Sequence, residues 1–257
     1  MWVIPKNQIG NVQMLDPDDG ITNIENPNFP AINMIDQHPK KLAKATKGRC
    51  LVKATNIKWC GSLFILNVDC SKITNIRIYN KDGTIFEKDV EYLIKAGNYY
   101  NYYHAILQYK DRWYVFLDNI YSDCTAEFIL EYPDTEPAWI GLVTSGMIYK
   151  VGDAEWGLSD APKDFSVIKE TINGSTIVIK RNVLKNKIFK LFSTKEQYEQ
   201  LYYLYREYRD LFWTFIPVKD ISYEDSYIRY GLIVKFPQVA QTNSRFLTYN
   251  IEVQEVI

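Results

Sequence analysis

The chain has 257 residues, with 30 Lys plus Arg against 31 Asp plus Glu, so its formal net charge is −1. That balance argues against a dedicated nucleic-acid binder, which carries a basic excess or stripe, and an apolar share of 47% is too high for intrinsic disorder. No apolar run approaches the roughly 18 residues of a membrane span, so neither nucleic acid nor membrane insertion is expected.

The start, Met1-Trp2-Val3-Ile4-Pro5, lacks the basic and apolar regions of a secretory signal. Up to about residue 45 the chain is rich in turn chemistry. Asp16-Pro17-Asp18-Asp19-Gly20 and Asn26-Pro27-Asn28-Phe29-Pro30 predict short, irregular structure there. From Leu51 the pattern becomes strand-like. Leu63–Val68, Ile73–Tyr79, Arg112–Leu117 and Thr125–Leu130 are short runs rich in β-branched and aromatic residues. Ile73–Tyr79 alternates apolar and polar, as a half-buried strand does, and Asn80-Lys81-Asp82-Gly83 supplies a turn after it. Tyr132-Pro133-Asp134-Thr135-Glu136-Pro137 reads as a stiff exposed linker. The predicted domains are 1–132 and 138–257.

Strands resume at Trp139–Val143. Phe165–Thr171 and Thr176–Arg181 flank Asn173-Gly174-Ser175, and the Asn-Gly pair is a strong hairpin signal. A further strand runs from Val183 to Phe192. Ser193-Thr194-Lys195-Glu196 reads as a capping box opening one helix near 194–212, with Tyr198, Leu201, Tyr205, Tyr208 and Phe212 on its buried face. Glu199, Arg206 and Glu207 fall on the solvent side. Strands return at Thr214–Val218, Tyr230–Phe236 and Phe246–Val253.

The chemical inventory is sparse. There is no nucleophile elbow, phosphate loop, dinucleotide fingerprint or HExxH, and only His38 and His104 are available for imidazole chemistry. Cys50, Cys60, Cys70 and Cys124 show no zinc spacing and read as reduced, buried thiols. Asp16, Asp18 and Asp19 form an acidic turn, but a calcium loop starting there would place Pro27 at its bidentate position. No metal or cofactor is expected. Acids for glycoside hydrolysis would have to come from Asp118, Asp123, Glu127 or Glu131. Of 20 tyrosines, four crowd into Tyr99-Tyr100-Asn101-Tyr102-Tyr103. With Trp59 and Trp113, Tyr100 and Tyr102 are the candidates for stacking on a sugar or a protein partner. Lys180, Arg181, Lys185, Lys187 and Lys190 form the one local basic run. It is either a solvated hairpin face or a complement to an acidic neighbour.

Ala138–Gly146, Val151-Gly152 and Trp156-Gly157-Leu158-Ser159 resemble a pattern in tail proteins of tailed bacteriophages. The order that follows, a hairpin, a strand, one helix and further strands, is similar to the β-barrel of distal-tail and baseplate-hub proteins. The first half resembles a galactose-binding-like jelly roll. In the better-known distal-tail proteins the barrel comes first; here the order is reversed. The resemblance then implies a mainly β protein: a jelly-roll or β-sandwich followed by a distal-tail-like β-barrel with one α-helix. It further implies a non-enzymatic adaptor of a phage tail or baseplate, carried in the virion. Its partners would be copies of itself in a ring, the tail tube, and fibre or baseplate proteins. Asn173, Gly174, Ser175, Lys180 and Arg181 would make the subunit contact. The alternative expectation is a carbohydrate-binding module that recognises a cell-surface glycan.

Overall fold

The structure is a computed structural model. It describes residues 1–36, 38, 40–68, 70–95, 108–109, 111–132, 137–154, 159–163, 167–170, 176–179, 184–217, 228–236, 239–241 and 245–256. Among the described residues the chain is mainly β with one α-helix. It divides into two compact units, one built on Ile4–Ile148 and the other on Met1–Val3, Tyr149–Val218 and Ser226–Ile257.

Strand β1 (Trp2–Ile4) opens the chain. The first unit then contains β2 (Asn11–Leu15), a 3-10 turn (Ala31–Met34), β3 (Ala43–Lys44), β4 (Arg49–Val68), β5 (Lys72–Asn80) and β6 (Gly83–Tyr92). The short pair β7 (Ile94–Lys95) and β8 (Gln108–Tyr109) follows, then β9 (Arg112–Glu131) and β10 (Trp139–Ser145). Its main sheet runs β3-β10-β4-β9-β5-β6, with β2 also on β4. The two 20-residue strands β4 and β9 form its spine. The predicted strands Arg112–Leu117 and Thr125–Leu130 are both parts of β9.

Two register shifts, between Ala54 and Ile57 and between Cys60 and Ser62, bend this spine. Asn56 (φ 55°) and Asp123 (φ 53°) sit at the bend with left-handed backbones, which Asn and Asp tolerate better than most residues. Before the bend β4 pairs with β2; after it β10 takes that side. The sequence opens a second domain at 138. In the structure Trp139–Ser145 is a strand of the first unit, because Ile140, Leu142 and Val143 bury against β4, and the division falls between Ile148 and Tyr149. The core takes alternate residues of each strand: Cys50, Val52 and Ala54 from β4, Ala126, Phe128 and Leu130 from β9, Ile73, Ile76 and Ile78 from β5.

The second unit continues with β11 (Tyr149–Lys150), which pairs with β1, and β12 (Asp153–Ala154). Next come β13 (Ser159–Lys163), the hairpin β14 (Val167–Glu170) and β15 (Thr176–Ile179), and β16 (Leu184–Thr194). Helix α1 (Lys195–Tyr208) precedes β17 (Trp213–Ile216), β18 (Arg229–Lys235), β19 (Ala240–Gln241) and β20 (Phe246–Glu255). The sheet order is β11-β1-β17-β18-β20-β16-β12, with β13 on β16 and β19 on β20. Among the described residues this path is open at both ends, so the barrel implied by the resemblance is seen as an open sheet.

The core here is aromatic: Phe215 stacks between Phe189 at 6.2 Å and Trp213 at 6.1 Å. Gly231 lets β18 and β20 meet closely, because a Cβ there would lie 2.1 Å from the Gln254 carbonyl oxygen. Helix α1 is capped by Thr194, whose hydroxyl accepts from the Gln197 amide while the Gln197 side chain accepts from Thr194 N–H. The capping box lies one residue later than predicted. Ser193 lies one residue before the N-cap and is buried, so its hydroxyl is not placed for capping. The helix ends at Tyr208, where the Trp213 indole N–H donates to the Tyr208 carbonyl at 2.9 Å. Leu201 and Leu204 bury its inner face, with Tyr198, Tyr205 and Tyr208 half-buried beside them.

Candidate functional site

The outward face of the first unit's sheet follows from strand alternation. Because Cys50, Val52 and Ala54 point inward, Arg49, Leu51 and Lys53 point outward; the same rule turns Glu127, Ile129 and Glu131 outward on β9. A bulge in β5, where Asn75 has φ 50°, switches parity. Lys72 and Thr74 before it, and Arg77 and Tyr79 after it, therefore reach the same face.

Register sorts these side chains into rows across the strands. Arg49 pairs with Glu131, Glu131 with Lys72, and Lys72 with Tyr92. Two residues along, Leu15 pairs with Leu51, Leu51 with Ile129, Ile129 with Thr74, and Thr74 with Val90. The third row runs Gln13, Lys53, Glu127, Arg77, Glu87. A row of apolar and hydroxyl groups thus lies between two charged rows, with Leu15, Ile129 and Thr74 buried and only Val90 exposed. Five strands at a spacing of ~4.8 Å make that row about 19 Å long.

Ion pairs hold the charged rows in place. Lys72 meets Glu131 at 2.7 Å, Arg49 reaches the same carboxylate at 3.6 Å, and the Thr74 hydroxyl donates to it at 3.1 Å. Lys53 lies 2.6 Å from Glu127, the Tyr79 hydroxyl donates to Glu127 at 2.8 Å, and Arg77 pairs with Glu87 at 2.5 Å. Burial alone would raise the Glu131 carboxyl, but the hydrogen bonds from Lys72 and Thr74 and the charges of Lys72 and Arg49 outweigh it, and the net shift is downward. Lys53 is raised, chiefly by its hydrogen bond to Glu127. Tyr79 is also raised, by burial first and then by Glu127. Tyr92, at 65% exposed, stands at the end of the first row as an open aromatic.

Such a face can hold hydrogen-bonding ligands in fixed geometry, because its donors and acceptors are already oriented. It is poorly arranged for glycoside hydrolysis. Glu127 and Glu131 are four residues apart on one strand, about 13 Å at ~3.4 Å per residue, beyond the ~5–9.5 Å of hydrolase pairs. The general acid in such a pair needs a raised pKa, and Glu131 moves the other way. Asp118 and Asp123 are exposed.

The sequence-predicted sites fare unevenly. Trp113 is 7% exposed and packs beside Phe86 at 6.4 Å, so it is a core residue and not a stacking platform. Trp59 is half-buried and pairs with Ser122 on β9, away from the charged rows. Tyr100, Tyr102 and His104 lie outside the described residues, as do Asn173, Gly174, Ser175, Lys180 and Arg181; the strands flanking that tip are paired, Glu170 against Thr176. Lys190 is exposed, whereas Lys187 is half-buried and its ammonium is lowered by burial and by Arg229. Arg229 pairs with Glu255 at 3.5 Å, both largely buried. Lys187 therefore lies near the Arg229–Glu255 pair and is only partly open to solvent.

The acidic turn is committed internally. Asp16 pairs with Lys47, Asp18 with Arg49 at 3.4 Å, and Asp19 accepts from the Ile21 and Thr22 amides at 2.9 Å. Among the described residues no cluster of three or more His, Cys, Asp or Glu is placed to hold a metal. All four cysteines are buried and outside any disulfide, and burial pushes the Cys50 thiol up to about 12.

The row pattern had a readable trace in the sequence. Arg49 and Lys53, and Glu127 and Glu131, repeat at a four-residue spacing with opposite sign; what was missing was the pairing that sets them side by side.

No family model matches the chain, and no curated protein matches it. Solved structures resemble it loosely. One is chitosan-binding module 1 from a chitosanase/glucanase of Paenibacillus sp. IK-5, at 8% identity and a TM-score of 0.36 over 57% of this chain and 98% of that one. Another is the Streptococcus pneumoniae fucose binding module SpX-3, at 10% identity and a TM-score of 0.36 over 56% and 99%. A third is reduced XRCC1 bound to the DNA pol beta catalytic domain, at 12% identity and a TM-score of 0.35 over 55% and 97%.

Proposed function

We propose that the chain is a non-catalytic carbohydrate-binding protein whose first unit carries the recognition face. One observation carries this reading: the exposed ring of Tyr92 ends a row of oriented charged groups, Arg49, Glu131 and Lys72, across the sheet. An oligosaccharide is amphipathic in the same sense. Its C–H faces pack on an open aromatic such as Tyr92, while its hydroxyls take hydrogen bonds from charged groups beside it. That row crosses four strands, about 14 Å at ~4.8 Å per strand, which accommodates a short chain of sugars lying across them. The test is a glycan array probed with the full chain, followed by calorimetry on any hit. Binding to at least one glycan is expected, weakened at least tenfold by Tyr92→Ala and by Lys72→Ala with the circular dichroism unchanged. An array with no binding, or binding indifferent to both changes, overturns the reading.

The adaptor role in a phage tail or baseplate is the second proposal. It is favoured by a different observation, the exposed tyrosines Tyr202 (47%) and Tyr203 (58%) on α1, since exposed Tyr is enriched at protein contacts. In that role the chain sits in a virion tail, bound to copies of itself and to tube, fibre or baseplate proteins. Removing 173–175 is then expected to abolish assembly into particles while leaving the monomer folded; normal assembly by that variant overturns it.

A further inference from the structure

We propose that two copies of this chain pair through α1, as antiparallel helices related by a two-fold axis passing between Tyr202 and Tyr203. The inference is independent of the sugar-binding reading.

Helix geometry sets the face. At about 100° per residue, Leu201 and Leu204 bury one side of α1 and the bisector of Tyr202 and Tyr203 points to the other. Glu199 and Arg206 fall within about 10° of that outward direction, Lys195 within about 30° and Glu196 within about 70°; Arg209 and Asp210 follow in the turn after the helix. All of these residues are exposed. The apolar surface does not stop at the helix. Tyr202 meets the half-buried Phe236 ring edge-on at 5.7 Å, and Phe236 is flanked in the chain by Val234 and Val239, 49% and 37% exposed.

The charges on this face are self-complementary. A two-fold axis between residues 202 and 203 exchanges Glu199 with Arg206, Glu196 with Arg209, and Lys195 with Asp210. Each exchange brings opposite charges together, and each occurs twice. From Lys195 to Asp210 no exchanged pair has like charges: the remaining ones are Gln197 with Tyr208, Tyr198 with Glu207, Gln200 with Tyr205, Leu201 with Leu204, and Tyr202 with Tyr203. This is the residue-to-residue reciprocity of an isologous contact.

Within one helix these partners are out of reach. Glu199 and Arg206 are seven residues apart, whereas intrahelical pairs form at three or four. Arg206 instead lies over the Tyr203 ring at 5.5 Å, on the outward face. Arg209 and Asp210 touch at 3.8 Å, with side chains 66% and 88% exposed, a contact of little energetic weight. The occupant that satisfies both the tyrosine pair and the charge order is a second copy running the other way.

Sedimentation velocity of the full chain over a concentration series tests this. The expected result is a reversible dimer that weakens as salt rises. Glu199→Arg places Arg against Arg206 twice and is expected to leave a monomer; Arg206→Glu does the same with acids. An equimolar mixture of the two variants restores every pairing and is expected to dimerise at least tenfold more tightly than either alone. Both changes are on the surface, and helicity by circular dichroism confirms the fold. A wild-type chain that stays monomeric throughout overturns the proposal. So does a dimer indifferent to the single variants, or a mixture that remains monomeric; the last outcome would exclude the antiparallel register.

Discussion

The two units solve the same problem, covering a β-sheet, with different materials. The first unit packs mainly small and aliphatic side chains between long strands, among them Cys50, Val52, Ala54, Ala126 and Ile73, with Phe128 and Trp113 as its large rings. The second packs rings: Trp213, Phe215, Phe189 and Tyr249 beneath a helix. The difference extends to their surfaces. On the first unit, outward side chains are ordered by strand register, so charges line up in rows across the sheet. On α1 the order comes mainly from the helical repeat, so the 14-residue helix and the turn just after it carry the whole pattern. A face assembled from five strands depends on every ladder that sets its register, whereas a face on one helix depends mainly on that helix being formed.

The largest expected effects come from the two cores. Phe128→Ala and Phe215→Ala each remove a fully buried ring and are expected to cost about 3–5 kcal/mol. Calorimetry on the variants separates the units. If the cores melt independently, two transitions appear and each change lowers only one of them. A single transition lowered by both would show that the cores unfold together.

A smaller effect tests the helix. Thr194→Ala removes the hydroxyl that accepts from the Gln197 amide, and is expected to cost about 1 kcal/mol. Denaturant titration measures it. The same variant should also weaken the proposed α1 dimer, because fraying begins at the Lys195 and Glu196 end of the contact face. Unchanged dimerisation with reduced stability would shift the contact towards the tyrosines.

The smallest effect separates the first unit by pH. Asp19, lowered to about 2 by hydrogen bonds from the Thr22 hydroxyl and the Ile21 and Thr22 amides, is held below its ordinary 3.8. Glu131 is likewise below its ordinary 4.5, burial being outweighed by Lys72, Thr74 and Arg49. A carboxylate lowered on folding adds stability that is complete above its unfolded pKa and is lost as pH falls through the folded one. Stability of the first unit should therefore fall with acid from about pH 4.5 downward, and Glu131→Gln should flatten the upper part of that limb. An identical acid limb in the variant would show that Glu131 is not a contributor.

Much of this was legible along the chain, and where it was not the reason is physical. The capping motif, the apolar spacing at Leu201 and the tyrosines around it, and the Asn-Gly hairpin are local features, written within a few residues of one another. They led to a mainly β chain with one helix near its observed place. The capping box slipped by one residue because Ser193 and Thr194 both satisfy the motif, and only the tertiary structure, which buries Ser193 and starts the helix at Lys195, chooses between them. Trp113 looked like a candidate for stacking because a Trp in a strand has no face until its register is known. Trp139–Ser145 looked like a beginning because the prolines before it signal a break in local structure, and local structure does not say which sheet a strand joins.

The sequence by itself determined the strand-rich character, the single amphipathic helix and the charge order of its outward face, since these depend on spacings within one segment. Only the tertiary structure decided that Arg49, Glu131, Lys72 and Tyr92 share a row, that Lys187 lies with Arg229 and Glu255, and that the division of the chain falls after Ile148. Those outcomes join residues dozens of positions apart. They are set by ladder register and burial, which local spacing does not encode.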